Sequence, residues 1–322
     1  MVMESTAPSV DIVILHYNGK KYMERILPRL LSFTYPNYKI YVIDNGSDDQ
    51  QVSFLVDQFP SIHVIRNNVN YGYSKGKNIG MGYATADYVL LLDDDILPED
   101  VRLLEKLVSF YQTHPKAAFV SIPFIDWGGD LTDAYGLYTN RRKPSVPLRT
   151  VSDSVPFEIP CPMGGLLFFR KDIWDTVGGF DETFPYCLDD WDIGIRAYLL
   201  GYQNFLYTRS HAVHLGVQRL LDRDTYRWKY KYEMAGFMYT ITKSYTVLSL
   251  FKWYVVGYSY FFYKTLRQIV RKHDVMLFYS FLISHWLFFR HIPRALKHRQ
   301  RIQSLRQIPH DEFLNLAPPF DV

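Results

Sequence analysis

Two groups of carboxylates stand out. Asp93, Asp94 and Asp95 follow the apolar run Val89–Leu92, and Asp189, Asp190 and Asp192 open the stretch LDDWDIGIRAYLL. Crowded carboxylates at the end of a buried run are costly unless something offsets their mutual repulsion. A hard divalent cation, Mg2+ or Mn2+, does so through oxygen ligands and can hold diphosphate oxygens on its other side. The competing account is a solvated acidic turn, with an aspartate capping a helix over 99–111. The second group suits proton transfer: a carboxylate that takes the proton of an acceptor hydroxyl makes that hydroxyl a nucleophile. One base and two structural members are expected there. Acidic residues favour a helix N-terminus, and Asp192 stands at i,i+4 to Arg196, the spacing of a helical ion pair.

Other polar residues fall where chains turn. Asp44 ends KIYVID and precedes Asn-Gly. It can accept from a nucleobase or ribose, or close an Asx-turn or cap at Ser47 or Asp48. Asn18 ends the first apolar run. The Gly-spaced segment 70–82 can bring backbone N–H groups and Lys75 or Lys77 to a phosphate, or be a tightly packed helix start. It matches neither the Walker A pattern nor the dinucleotide fingerprint. His214 suits diphosphate or metal, or a structural role. Trp127 and Trp191 suit stacking on acceptor sugars, or core packing. Gly164-Gly165 and Gly178-Gly179 read as tight turns.

These residues need elements to position them. VDIVIL, KIYVID, IHVIRN and DYVLLL are short apolar runs separated by helix-spaced segments. Strand–loop–helix repetition argues for an α/β fold, a mostly parallel central sheet with helices on both faces. Ligands of such sheets bind outside the C-terminal strand ends. Asn18, Asp44, the Asn70 loop and Asp93–Asp95 all fall there, so one cleft is expected to gather all four. Residues 126–160 lack periodicity and read as inserted or surface chain. A nominal catalytic domain spans 1–220, with a nucleotide part at about 10–125 and an acceptor part at about 126–220. Residues 221–322 form a different, aromatic and basic helical extension.

Composition bounds the partners. The net charge of +3 hides an asymmetry, because residues 251–310 hold eleven Lys/Arg and one acidic residue, Asp274. The remainder then carries 25 Lys/Arg against 32 Asp/Glu, about −7. A basic aromatic tail on an acidic body suggests an anionic membrane surface before nucleic acid, and no nucleic-acid partner is expected. Residues 245–263 and 275–289 read as helices lying in a membrane interface through 245–306. Full spanning is one alternative, and packing on the core or on another subunit is the other, which leaves an oligomer open. Cys161 and Cys187 read as reduced thiols. The polar, acidic first residues show no signal peptide.

Taken together, these segments resemble an inverting family 2 glycosyltransferase of the GT-A fold, nearest to its rhamnosyltransferase-like bacterial branch. The resemblance covers roughly residues 10–220. It rests on VILHYNG, VIDNGSDD, NNVNYGYSKGKNIG with Tyr73 in the usual Phe place, LLLDDDI, GGLLFFRKDIWDTVGGFDETF, LDDWDIGIRAYLLGY and HAVHLG. It implies Asp44 at the nucleobase, Asp93 on the ribose side, Asp95 at the metal, Asp190 as catalytic base and His214 near the diphosphate. Asn18 and Asn78 join the donor side, with Lys75, Asp189, Asp192, Arg196 and Trp191 in support. Asp189 replaces the usual Glu and Ile193 the usual Leu.

The implied activity moves a sugar from a nucleoside diphosphate sugar to a cell-envelope glycan or lipid-linked acceptor. The setting would be the cytoplasmic face of the cell membrane, with the protein peripheral or monotopic. A processive polysaccharide synthase should carry Gln-x-x-Arg-Trp, and YRWKY at 226–230 lacks the Gln. A nucleotidyltransferase should carry a Gly-rich basic loop after the first strand, and HYNGKKY is a poor version of it.

Overall fold

The computed structural model describes residues 7–126, 137–140, 143–147, 155–185, 188–216 and 222–316. The chain opens with β1 (Val10–His16), α1 (Lys20–Leu31), β2 (Tyr38–Asp44), α2 (Asp49–Gln58), β3 (His63–Arg66), α3 (Tyr73–Met81) and β4 (Tyr88–Asp93). Next come β5 (Ile96–Pro98), α4 (Leu103–Thr113), β6 (Ala117–Ser121) and β7 (Phe124–Ile125). A hairpin, β8 (Leu137–Asn140) and β9 (Lys143–Pro147), precedes β10 (Phe157–Ile159), β11 (Leu166–Arg170) and α5 (Lys171–Val177). Then follow α6 (Asp189–Leu199), β12 (Gln203–Leu206) and β13 (Ala212–His214). The extension consists of α7 (Arg223–Ser244), α8 (Val247–Lys272), α9 (Met276–Leu305) and a 3-10 turn at Glu312–Asn315.

Eight strands form the central sheet in the order β10-β12-β6-β11-β4-β1-β2-β3. β11 and β10 run against the other six, so the sheet is mostly parallel, as the sequence pattern suggests. The apolar runs are continuous because both faces are covered. Ile12, Ile14, Leu90 and Leu92 enter one apolar layer, while Val13, Val89 and Leu91 enter the opposite one. α1 presents Met23, Ile26, Leu27 and Leu30 to the first layer at helical spacing.

The Gly-spaced segment 70–82 is largely α3, and its glycines serve packing. A Cβ on Gly76 would lie 2.6 Å from Leu15 Cδ1, and one on Gly80 would lie 2.7 Å from both Ile43 and Val13. Their i,i+4 spacing gives α3 a bare stripe that lies directly on β1 and β2.

A three-stranded sheet, β5-β13-β7, sits beside the main one. It pairs His214 with Ile96 across an antiparallel ladder.

The extension shares its core with α6. Trp191, Ile195 and Leu199 of α6 belong to the same apolar cluster as Tyr230, Phe237, Trp253, Phe281 and Phe288. α8 and α9 cover the two helical segments expected at 245–263 and 275–289, and each runs on into the basic residues that follow. α7 has no such signal in the sequence. Residues 234–244 are buried on every side, which erases the one-faced period of a surface helix. Its last carbonyls are satisfied from α9 and the chain just beyond: Arg299 donates to Thr242 and Tyr245, and Gln303 and Arg306 to Ser244. Outward, α8 shows Leu248 at 83% exposure and Phe251 at 75%, and α9 shows Trp286 at 56% and Phe289 at 59%. No described helix is long and apolar enough to cross a membrane.

Candidate functional site

Asp93, Asp189, Asp190, His214 and Tyr73 line one cleft of about 330 Å3. Four structural devices converge on it. β4 delivers Asp93 at its C-terminal end, and the Asp93 amide donates to Gly165 O at 2.9 Å, where β11 begins. Leu188 adopts a left-handed conformation, φ 63°, immediately before α6. That turn aims the first helical residues, Asp189 and Asp190, into the cleft. The Gly164 amide donates to Asp190 Oδ2 at 3.1 Å, and the Trp191 amide to Asp190 Oδ1 at 2.7 Å. The small sheet brings in His214, and Leu215 N–H donates to Asp95 O at 2.7 Å to hold the two chains together.

α3 contributes a buried cation. Lys77 Nζ lies 2.6 Å from Asp93 Oδ1 and donates to Gly164 O at 2.9 Å and to the Tyr73 hydroxyl at 2.5 Å. Tyr73 donates in turn to Gly164 O at 2.9 Å. Burial pushes the Asp93 carboxyl up to about 6, against the pull of Lys77 and helped by Asp95 and Asp94. Burial, then the neighbouring Asp190, pushes Asp189 up to about 7. Asp190 is also raised by burial, restrained by its two backbone N–H donors. Asp189 Oδ2 is buried and meets no hydrogen-bond donor among the described residues. The cleft thus concentrates carboxylates near the point of proton exchange beside one ammonium group.

Asp95 and His214 fit a divalent cation. His214 Nε2 lies 3.3 Å from Asp95 Oδ2, and a Cβ on Gly216 would fall 2.1 Å from that oxygen, so glycine keeps the carboxylate's surroundings open. No group of three or more His, Cys, Asp or Glu side chains that could hold a metal is gathered among the described residues. A carboxylate and an imidazole leave the remaining positions of a divalent cation to water and to the phosphate oxygens of a bound nucleotide.

The cleft does not gather every strand-end residue as expected. Asp44 is fully buried: its Oδ1 accepts the Ser47 amide at 3.1 Å, the Asx-turn alternative, and Oδ2 faces Arg66 Nε at 3.6 Å. Asn18, at φ 51°, donates its amide to Ser47 Oγ at 2.9 Å and accepts the Asp48 amide at 3.1 Å. Asn18 and Asp44 therefore share one loop cluster on Ser47. Asn78 turns away and pins the 178–182 turn through Phe180 and Glu182. Lys75 is exposed over the Tyr71 ring; its neighbour Lys77 holds the site.

Asp192 and Arg196 form the i,i+4 pair at 2.9 Å, and Asp192 also meets Lys243 at 2.8 Å, all within the protein. Trp191 is buried and stacks on Phe237 at 5.5 Å, so it is core and not a sugar platform. Asp94 accepts from Tyr17 N–H at 3.0 Å and bonds His16 Nδ1 at 2.9 Å, which ties β4 to the β1 loop. Trp127 and Cys187 lie outside the described residues, and Cys161 is a buried free thiol. Lys77 and the Tyr73 hydroxyl had a signal in their i,i+4 spacing on one helix face.

The family profile described as Glycosyl transferase family 2 matches residues 11–178, half of the chain. The chain belongs to glycosyl transferase family 2. Its GT-A architecture is shared with solved structures of low sequence identity. TarS 1–349 of S. aureus superimposes with TM-score 0.59 at 13% identity over 95% of this chain and 90% of that one. The mannosyltransferase PcManGT of Pyrobaculum calidifontis, solved with GDP-Man and Mn2+, gives TM-score 0.56 at 14% identity over 97% and 84%. Both alignments include the C-terminal helices, so the extension is part of the shared architecture. By sequence, the glycosyltransferase AglE of Haloferax volcanii is 27% identical over 188 residues, 55% of this chain and 58% of AglE. The sequence matches to the first curated relatives cover about a third to somewhat over half of their length.

Proposed function

We propose that this family 2 member is a metal-dependent glycosyltransferase that uses a nucleoside diphosphate sugar and a hydroxyl of a cell-envelope glycan or lipid-linked acceptor. The observation that carries the reading is the single cleft joining Asp93, Asp189, Asp190 and His214. In the proposed reaction, Asp190 accepts the proton of the acceptor hydroxyl. The hydroxyl oxygen bonds the anomeric carbon as the carbon–oxygen bond to phosphate breaks. The electron pair leaves on the diphosphate, and the anomeric configuration inverts. Backbone N–H groups on both Asp190 oxygens orient the carboxylate, and burial raises its pKa above the ordinary carboxylate value, which strengthens it as a base. Asp95 and His214 would hold the cation, which neutralises charge on the diphosphate. Lys77 keeps Asp93 in place at the ribose side. Asp44, through its buried Asx-turn, and Asn18 shape the Ser47 loop over which the base would lie.

By its sequence motifs, we place the chain with the rhamnosyltransferase-like branch. The exposed apolar residues of α8 and α9, with the basic tail, support attachment to the cytoplasmic membrane surface where lipid-linked acceptors reside.

The test is a donor screen with Mg2+ and Mn2+ that reads released nucleoside diphosphate, followed by the anomeric configuration of the product. Release with no donor, or retention of configuration, overturns the reading. A second reading places the base at Asp189, because its Oδ2 is a buried cleft oxygen that meets no hydrogen-bond donor and, unlike Asp93 Oδ1, pairs with no lysine among the described residues; comparison of Asp189→Asn with Asp190→Asn decides between them.

A further inference from the structure

A second cavity, of about 290 Å3, lies apart from the carboxylate cleft, where the 178–182 turn meets α9. Four cationic side chains reach it: Arg196, Lys243, Arg294 and Arg301. The inner two are neutralised. Arg196 pairs with Asp192, and the buried Lys243 pairs with Asp192 and Asp181. Burial raises the Asp181 pKa, but Lys243 and the hydrogen bonds from His298 and Thr183 outweigh it and hold the carboxyl well below the usual range. Asp181 is therefore ionised and committed to its partners.

The outer two are different. Arg294 and Arg301 are exposed, stand seven residues apart on one face of α9, and make no ion pair with a described residue. Of the lining carboxylates only Glu182, which hydrogen-bonds Asn78, is left to oppose them, one negative charge against two positive ones. Two uncommitted guanidinium groups at the rim of a cavity are a phosphate-binding arrangement, since their planar donor forks match phosphate oxygens.

α9 also indicates the source of that phosphate. Phe278, Leu282, Trp286 and Phe289 form its exposed apolar row. At 3.6 residues per turn, Arg290, Arg294 and Arg301 fall beside that row. A soluble anion would use only the cavity, whereas a lipid uses both features.

We propose that the cavity binds the phosphate of an anionic lipid headgroup, with the acyl chains directed to the apolar row of α9. This rests on the membrane-surface part of the proposed function. It assigns that surface a discrete headgroup site in place of diffuse charge attraction.

The experiment is flotation of the full chain with phosphatidylcholine vesicles, with and without phosphatidylglycerol. The wild type binds the anionic vesicles selectively. Arg294→Gln with Arg301→Gln weakens that binding about a hundredfold, each lost charge-assisted hydrogen bond to phosphate being worth roughly tenfold. The charge-matched pair Arg267→Gln and Arg271→Gln on α8 has a much smaller effect. Equal loss in both pairs, or no loss in the first, overturns the site. Failure of the wild type itself to bind vesicles removes the membrane reading. Inorganic phosphate followed by 31P NMR supplies the remaining arm: binding that depends on Arg294 and Arg301 without vesicle selectivity assigns the cavity to a soluble anion and overturns the lipid. Donor turnover in solution, unchanged in the double variant, shows that it is folded.

Discussion

The two acidic triplets look alike in sequence and are used differently. Asp93, Asp94 and Asp95 leave the end of a strand, where alternation sends successive side chains to different sides. Asp93 meets Lys77, Asp94 ties to the β1 loop, and Asp95 faces His214. Asp189, Asp190 and Asp192 lie in one helical turn after a left-handed residue. Two of them enter the cleft side by side, and the third is locked between Arg196 and Lys243. The strand end distributes its carboxylates among separate tasks. The helix start instead concentrates a buried pair of carboxyls, both raised in pKa by burial. Each triplet gives up one member to the fold, Asp94 and Asp192. A run of aspartates therefore does not define a site until its side-chain directions are known.

The sharpest way to break this comparison is at the helix start. Asp190→Asn keeps the shape of the side chain but removes the base. Transfer should fall about a thousandfold, within the range for a lost general base, while donor affinity stays near wild type. Steady-state kinetics with both substrates reads the split. A larger loss in Asp189→Asn than in Asp190→Asn would move the base by one residue.

At the strand end the expected loss is smaller. Asp95→Ala should reduce metal-stimulated turnover roughly a hundredfold, in keeping with several kcal/mol of charge stabilisation from a bound cation. The residual rate should no longer respond to added Mn2+. Full turnover at saturating metal would end the role given to Asp95 and return the triplet to a solvated turn.

The pH dependence separates the two groups further. Transfer that needs a deprotonated Asp190 should increase with pH through the raised pKa of that carboxyl and then level off. Stability should run the opposite way. A carboxyl whose folded pKa is raised stabilises the fold fully below its ordinary value of 3.8, and that contribution is lost as pH rises through the folded value, about 6 for Asp93 and about 7 for Asp189. Asp189→Asn should therefore melt several degrees above wild type at pH 8, with little difference at pH 4, by thermal denaturation. A wild type that gains stability between pH 5 and 8 relative to this variant would contradict the burial of Asp189.

The parts of the fold and site that were legible in sequence are those carried by contiguous residues. The strands β1, β2 and β4 read directly because burial on both faces makes them continuous apolar runs. Asp93, Asp95, Asp189, Asp190 and His214 read as candidates because each sits at a strand end or a helix start. What sequence could not supply was direction. Lys75 and Lys77 are equivalent in a Gly-spaced segment until α3 docks its glycines on β1 and β2 and buries Lys77. Asn78 then turns to Phe180, a residue 102 positions away. Trp191 looked available for sugar stacking because the Phe237 that covers it lies on α7, which leaves no amphipathic trace.

Asp94 offers the smallest and cleanest test of the contrast. It stands between two residues assigned to nucleotide and metal, yet its Oδ2 is occupied by Tyr17 N–H and His16 Nδ1. Asp94→Ala removes both bonds and should cost about 1–3 kcal/mol, mainly the penalty for leaving the buried His16 ring unsatisfied, since Tyr17 is exposed to water. Donor affinity and metal response should stay within a few-fold of wild type. Thermal melts read the first effect and metal titrations of turnover the second. If Asp94→Ala abolished the metal response while melting normally, the strand end would be acting as one pooled ligand cluster, and its difference from the helix start would disappear.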